Sequence, residues 1–247
     1  VSQVKWNVEH LVHVDSTNTW LAQRAHEGAH EGEVVFSDYQ SGGRGRLERQ
    51  WHAPAGSSLL CSVLVNAPTS KAAPQWIVVA AAMAAADALE ELTDRRPVLK
   101  WPNDVIYGDS KVAGLLAEVV ATTKPVLIVV GLGLNLTDVD PDFASATTVL
   151  AATGRTLEPA QVLGAYLDAL DRRRAFLDTP DGARQLAQDY AGNLITLGQR
   201  VRVELPDSAV RGRAVGVDDQ GALRVDTGTE VRTFTAGDVV HLRGEDQ

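Results

Sequence analysis

The chain has 247 residues, enough for one large domain or for a main domain with a smaller one. Its 45% hydrophobic and 22% charged content is that of a folded globular protein rather than a disordered one. A formal net charge of −9 offers no basic face for non-specific nucleic-acid binding, and the longest largely apolar stretch, WIVVAAAMAAADAL, is 14 residues, short of a membrane span.

The N-terminal VSQVKWNVEH has no apolar run of the signal-peptide kind, so a cytoplasmic protein is expected. A short strand over HLVHV leads into DSTNTWLAQRAHEG. There Ser16 or Thr17 can cap a helix, Leu21 and Ala25 share one helical face, and Gly28 stops it. EVVFSDYQ follows as a strand. SSLLCSVLV predicts a buried strand that takes the single cysteine, Cys61, into the core as an inert side chain. Pro74 is expected to open an Ala-rich helix running to about Leu92, and VLKWPNDVIY reads as a strand broken at Pro102. KVAGLLAEVV and VLIVVGLGLNL are strands joined by the polar turn ATTKP. Two helices follow, over about 158–178 and 181–191, with Arg172-Arg173-Arg174 as a solvated helix face. From Ile195 the pattern changes to five short strands with turn signals every eight to twelve residues, the signature of a small barrel or sandwich. A domain boundary is expected near residue 194.

Four clusters carry candidate chemistry. QSGGRGRLERQW, residues 40–51, places Arg44, Arg46 and Arg49 on a glycine-rich segment closed by Trp51. Guanidinium forks on a mobile backbone suit closure over an anionic ligand. Ser16, Thr17 and Asn18 stand at a helix start, where hydroxyls and free N–H groups suit a polar ring or a carboxylate; plain N-capping is the alternative. In KWPND, Lys100 offers a cation for phosphate and Asp104 a carboxylate, unless the segment is an ordinary turn with a salt bridge. In KVAGLLAEV, Lys111 opens an apolar strand and must snorkel outward or meet an anion. Gly114 leaves room beside that strand for a flat ligand, and Gly131, Gly133 and Asn135 supply a second wall of mostly small residues, although glycines packed between strands explain the pattern too. GLGLN lacks the third glycine of a dinucleotide fingerprint, no Walker loop is present, and the six histidines form no recognisable triad. No Cys/His cluster has metal spacing, so no protein-held metal is expected. A pocket with a charged end, glycine walls and an arginine flap is what joining a carboxylate to AMP requires, because two anions must be brought together.

QSGGRGRLERQW resembles the GRGRxxRxW loop of biotin–protein ligases, and STN, KWPND, KVAGLLAEV and GLGLN resemble that family's other motifs in the same order, over nearly the whole chain. The resemblance implies a mixed-sheet α/β catalytic domain of the class II synthetase-like type over 1–194 and a small SH3-like β-barrel over 195–247. It implies two steps: biotin and MgATP give biotinyl-5′-AMP, and a lysine of the biotin carboxyl carrier domain of an acyl-CoA or pyruvate carboxylase then takes the biotinyl group. Biotin would contact Ser16, Thr17, Asn18, Gln40, Gly43, Arg44, Trp51, Lys111, Gly114 and Gly133. ATP or the adenylate would contact Arg46, Arg49, Trp51, Lys100, Asn103 and Asn135, with Mg2+ carried by the nucleotide. Lys111, Arg44, Arg46 and Asp104 would be catalytic, Asp104 orienting or deprotonating the incoming amine. Lipoate or octanoate ligases and transferases share the fold but should lack the paired-arginine loop, and a non-catalytic sensor would not need Lys111. Glu48 stands where the family usually has glycine, and Ser41-Gly42 replaces a usual Thr-Ala pair. Glu48 is expected to stiffen the loop, weaken its anion affinity, or pair with Arg46 or Arg49. Only about fifteen residues precede STN, too few for the N-terminal DNA-binding domain of many relatives, so no DNA-binding function is expected.

Overall fold

The protein is described by a computed structural model covering residues 4–47, 49–68, 75–121, 125–143 and 145–242. Pro74, Glu48 and most of the ATTKP turn fall outside these residues. Seven strands form the main sheet: β1 (Asn7–Leu11), β2 (Glu33–Ser37), β3 (Ser58–Asn66), β4 (Val98–Lys100), β5 (Asp104–Tyr107), β6 (Ser110–Ala121) and β7 (Leu127–Asn135). Their order is β1-β2-β3-β7-β6-β5-β4, parallel only between β1 and β2. The first strand lies a few residues upstream of HLVHV; Val14 instead makes an isolated bridge to Gln40.

The two faces of this sheet are covered unequally. Alternation in β3 and β7 sends Leu59, Cys61, Val63, Ile128, Val130, Leu132 and Leu134 into the larger core, with helices α2 (Gln75–Thr93), α4 (Pro159–Ala175) and α5 (Pro180–Asn193). Leu64 and Val129 point the other way and pack beneath α1 (Thr17–His26) through Leu21 and Ala25. That single helix covers only part of its face, and the site occupies the remainder. Cys61 is buried and its thiol is pushed up to about 12 by desolvation. It should resist alkylation in the native protein and react only after unfolding, as mass spectrometry after iodoacetamide treatment would show.

Two helical expectations change. A short helix α3 (Val149–Thr153), capped by Thr148 and ended by Gly154 in the left-handed region, adds an element that five residues of sequence do not announce. Arg172-Arg173-Arg174 is not a solvated face. Arg172 is exposed, but Arg173 and Arg174 have side chains 15% exposed, Arg173 bound to Asp87 and Asp189 and Arg174 to Glu31. Carboxylates from α2, α5 and the segment before β2 converge there, which residue type alone does not reveal.

All five C-terminal strands form: β8 (Arg200–Leu205), β9 (Ser208–Val217), β10 (Leu223–Asp226), β11 (Val231–Phe234) and β12 (Asp238–His241), an antiparallel sheet ordered β11-β10-β9-β8-β12. It is anchored to the larger body by Trp101, between β4 and β5, whose Nε1 donates to Gly221 O at 3.1 Å, and by Trp76 of α2, whose Nε1 donates to Asp219 O at 2.9 Å. Val201, Val203, Ala214 and Leu223 join the core of the larger body, so apolar packing is continuous between the two sheets.

Candidate active site

Strand register assembles the floor of the site. Leu60, Gly133, Gly114 and Asp104 lie in one row across β3, β7, β6 and β5, and Ser62, Gly131 and Leu116 in the next. The pleat turns these residues to the face that α1 leaves partly open. A Cβ at Gly133 would lie 2.8 Å from Trp51 Cδ2, and one at Gly114 2.8 Å from Lys111 Nζ and 3.1 Å from Trp51 Cζ3. The two glycines therefore let the indole and the lysine lie flat against the strands.

A bulge aims the lysine. β5 and β6 pair Val105 with Ala113 but Ile106 with Lys111, so Val112 is the extra residue. Without it, Lys111 would face away from Asp104 and Gly114; with it, Lys111 joins them and Val112 is fully buried. Lys111 Nζ lies 2.6 Å from Asp104 Oδ1 and 5.4 Å from the centre of the Trp51 ring.

The start of α1 forms one end of the site. Ser16 caps the helix, accepting from Thr19 N. Thr17 N and Oγ1 donate to Gln40 Oε1 at 2.7 and 3.0 Å. Asn18 is buried; its Oδ1 accepts from Ser62 Oγ at 2.6 Å and its Nδ2 donates to Glu118 Oε2 at 2.9 Å. The arginine loop folds as a short ribbon, with Trp51 N donating to Gly43 O at 2.9 Å and Gly45 N to Arg49 O at 2.7 Å. Its three guanidinium groups go to different places. Arg44 pairs with Glu118 at 2.8 Å, and Arg49 pairs with Asp238 on β12. Arg46 reaches no carboxylate within ion-pair distance among the described residues. It donates to Asn103 Oδ1 at 3.3 Å and to Gly237 O at 3.4 Å. Burial pushes the Arg46 guanidinium below its ordinary value, against the pull of Asp238 and Asp104.

These parts line one cavity of about 560 Å3, a size that accommodates a small-molecule ligand. Lys100, Asn103 and Asn135 line it too, Asn135 with its Nδ2 donating to Thr147 O at 3.2 Å. His241 enters from the C-terminal sheet; burial, then Lys100, holds its pKa below the usual imidazole value. Among the described residues no three His, Cys, Asp or Glu side chains converge as a metal site, and no helix is long and apolar enough to cross a membrane.

Residues 11–135 match the biotin/lipoate A/B protein ligase family, and residues 196–242 match the biotin protein ligase C-terminal domain. The chain is 39% identical to the biotin–[acetyl-CoA-carboxylase] ligase of Mycobacterium tuberculosis over 92% of this chain and 86% of that one. The chain belongs to the biotin protein ligase family. A biotin–[acetyl-CoA-carboxylase] ligase of Paracoccus denitrificans is 32% identical over 86% of this chain and 91% of its own. The biotin protein ligase of Aquifex aeolicus in complex with biotin and ATP superposes with a TM-score of 0.82 at 26% identity, covering 96% of this chain and 99% of that one. The mixed α/β body and the SH3-like antiparallel sheet are thus those of the biotin protein ligases.

Within this member of the family, every site residue named from the sequence, apart from Gly43, lines the one cavity; Gly43 is bonded to Trp51 at its edge. Sequence reasoning misses Ser62, Glu118 and Asp238, since their roles come from register and from loop contacts. A lone acid in the apolar run of β6 is the available signal for Glu118.

Proposed function

We propose that the chain is an ATP-dependent biotin–protein ligase that makes biotinyl-5′-AMP and passes the biotinyl group to a carrier-domain lysine. The observation that carries this reading is the placement of Lys111 by a bulge onto the glycine floor, in the same cavity as Arg46, which is hydrogen-bonded to Asn103. In this reading Ser16, Thr17, Asn18, Gln40 and Gly43 surround the ureido end of biotin. Gly114, Gly133 and Trp51 sandwich its ring system, and the valerate carboxylate reaches Lys111.

In the first step a biotin carboxylate oxygen attacks the α-phosphorus of ATP and pyrophosphate leaves. The ammonium of Lys111 and the guanidinium of Arg46 offset the repulsion between the two anions. Mg2+ carried by the nucleotide would supply charge screening for the departing phosphates. Lys100, Asn103, Asn135 and Arg49 border the nucleotide, and Arg44 holds the flap shut through Glu118. In the second step the carrier ε-amine attacks the acyl carbon, AMP leaves, and the amine loses a proton. Asp104, beside Lys111, is the carboxylate positioned to orient that amine. The division at 194/195 separates the catalytic body from the C-terminal sheet, whose Gly237 and Asp238 steady the loop. The acceptor in this reading is the carrier domain of an acyl-CoA carboxylase or of pyruvate carboxylase.

Incubation with biotin, MgATP and a carrier domain should add one biotinyl group to a single carrier lysine, read by intact-mass and peptide mass spectrometry. Preferential transfer of a lipoyl or octanoyl group would refute the assignment.

A further inference from the structure

Glu118 joins two parts of the site that are distant in sequence. It lies on β6 on the same face as Gly114 and Leu116, and its side chain is 29% exposed. Its Oε2 accepts from Asn18 Nδ2 at 2.9 Å and from Arg44 Nη1 at 3.3 Å, while its Oε1 lies 2.8 Å from Arg44 Nη2. Asn18 is thereby fixed in one orientation, with its amide NH2 on Glu118 and Leu116 O and its carbonyl on the Ser62 hydroxyl. The same Ser62 hydroxyl lies 2.8 Å from Thr17 Oγ1, and Thr17 holds Gln40, the first residue of the arginine loop. An unbroken chain of polar contacts therefore runs Gln40–Thr17–Ser62–Asn18–Glu118–Arg44. It leaves the loop at one point, passes through the base of the ligand pocket, and returns to the loop four residues later.

We propose that Glu118 is a positioning residue that couples pocket to flap: one carboxylate sets the Asn18 amide for ligand recognition and latches the loop through Arg44. The inference builds on the biotin-ligase reading for its ligand. A fork-to-carboxylate pair is directional, so the latch forms in one loop position. A ligand that tightens around Asn18 steadies Glu118 and favours the latched loop, and by reciprocity a latched loop favours the ligand.

Two substitutions separate the functions. Glu118→Gln keeps an acceptor oxygen for Asn18 but turns an amide donor toward Arg44, so the latch is lost and the pocket retained. Glu118→Ala removes both. Tryptic cleavage after Arg44 and Arg46, followed by mass spectrometry, reads the loop without any need for turnover. Steady-state assay reads the KM for biotin against kcat. Loop cleavage should rise roughly tenfold in both variants, the loss expected for one charge-assisted hydrogen-bonded pair, and biotin KM should rise about threefold in Glu118→Gln, through the lost latch alone, and about tenfold in Glu118→Ala, which also frees Asn18. A lowered melting temperature with loop cleavage and biotin KM unchanged in both variants would reduce Glu118 to a structural role and overturn the proposal. So would faster loop cleavage in either variant with an unchanged biotin KM. A wild-type protein that turns over no biotin would refute the ligase reading, while the cleavage measurement would still report whether the latch exists.

Discussion

Lys111→Ala should eliminate adenylate formation, with biotin-dependent pyrophosphate release falling by roughly 10³-fold while the fold is retained. The barrier is electrostatic, because a carboxylate must approach a polyphosphate. Lys111 is the ammonium placed on the glycine floor, 5.4 Å from the centre of the Trp51 ring and 2.6 Å from Asp104 Oδ1. Alanine leaves Asp104 without that partner and adds its negative charge to the repulsion. Lys111→Arg should rescue little. Lys111 runs flat over Gly114, where a Cβ would already lie 2.8 Å from its Nζ, and a planar guanidinium does not fit that channel as an ammonium does. The measurement is the single-turnover rate of pyrophosphate release; a rate within a few-fold of wild type would remove Lys111 from the chemistry.

Gly131→Ala should impair biotin use as strongly as the loss of a pocket side chain, raising the KM for biotin about 10–100-fold. An alanine Cβ there would lie 3.0 Å from Asn18 Cγ and closer still to its Oδ1. Asn18 cannot yield cheaply, because Ser62 and Glu118 hold it from either side and it is buried. Displacing it breaks both bonds and leaves buried polar atoms unmatched, at a cost of about 1–3 kcal/mol. Gly164→Ala is the control. Gly164 lies within α4, and a Cβ there would meet nothing within 4 Å, so alanine should stabilise the helix by about 0.5–1 kcal/mol and leave biotin KM alone. Equal biotin KM values for the two variants would contradict the seating of Asn18 on Gly131.

Much of the site is legible in the sequence because it is written in residue types that are costly elsewhere. A lysine opening an apolar strand, glycines inside strands and three arginines on a glycine-rich loop each need a ligand or a close neighbour to explain them. The alternation in VLIVVGLGLN also places Gly131, Gly133 and Asn135 on one face and Val130, Leu132 and Leu134 on the other. Less legible is anything set by pairing between distant segments. The bulge at Val112 that turns Lys111 into the site arises from the register between β5 and β6, which no local pattern encodes. Glu118 and Asp238 gain their roles only when the loop folds onto β6 and β12. Helix α3 is five residues long, too short to show a helical period. The arginine triplet misleads for the same reason: Asp87, Asp189 and Glu31 come from three other segments.

In the proposed function, a floor of glycines, a bulge-aimed ammonium and an arginine flap together let a carboxylate meet a nucleotide phosphate. The most direct test of that claim omits the carrier protein and follows enzyme, biotin and MgATP in one turnover by rapid quench. The expected result is one equivalent of biotinyl-5′-AMP retained on the protein with stoichiometric pyrophosphate release, both dependent on biotin. ATP consumption that proceeds equally without biotin, or no acyl-adenylate at all, would contradict it.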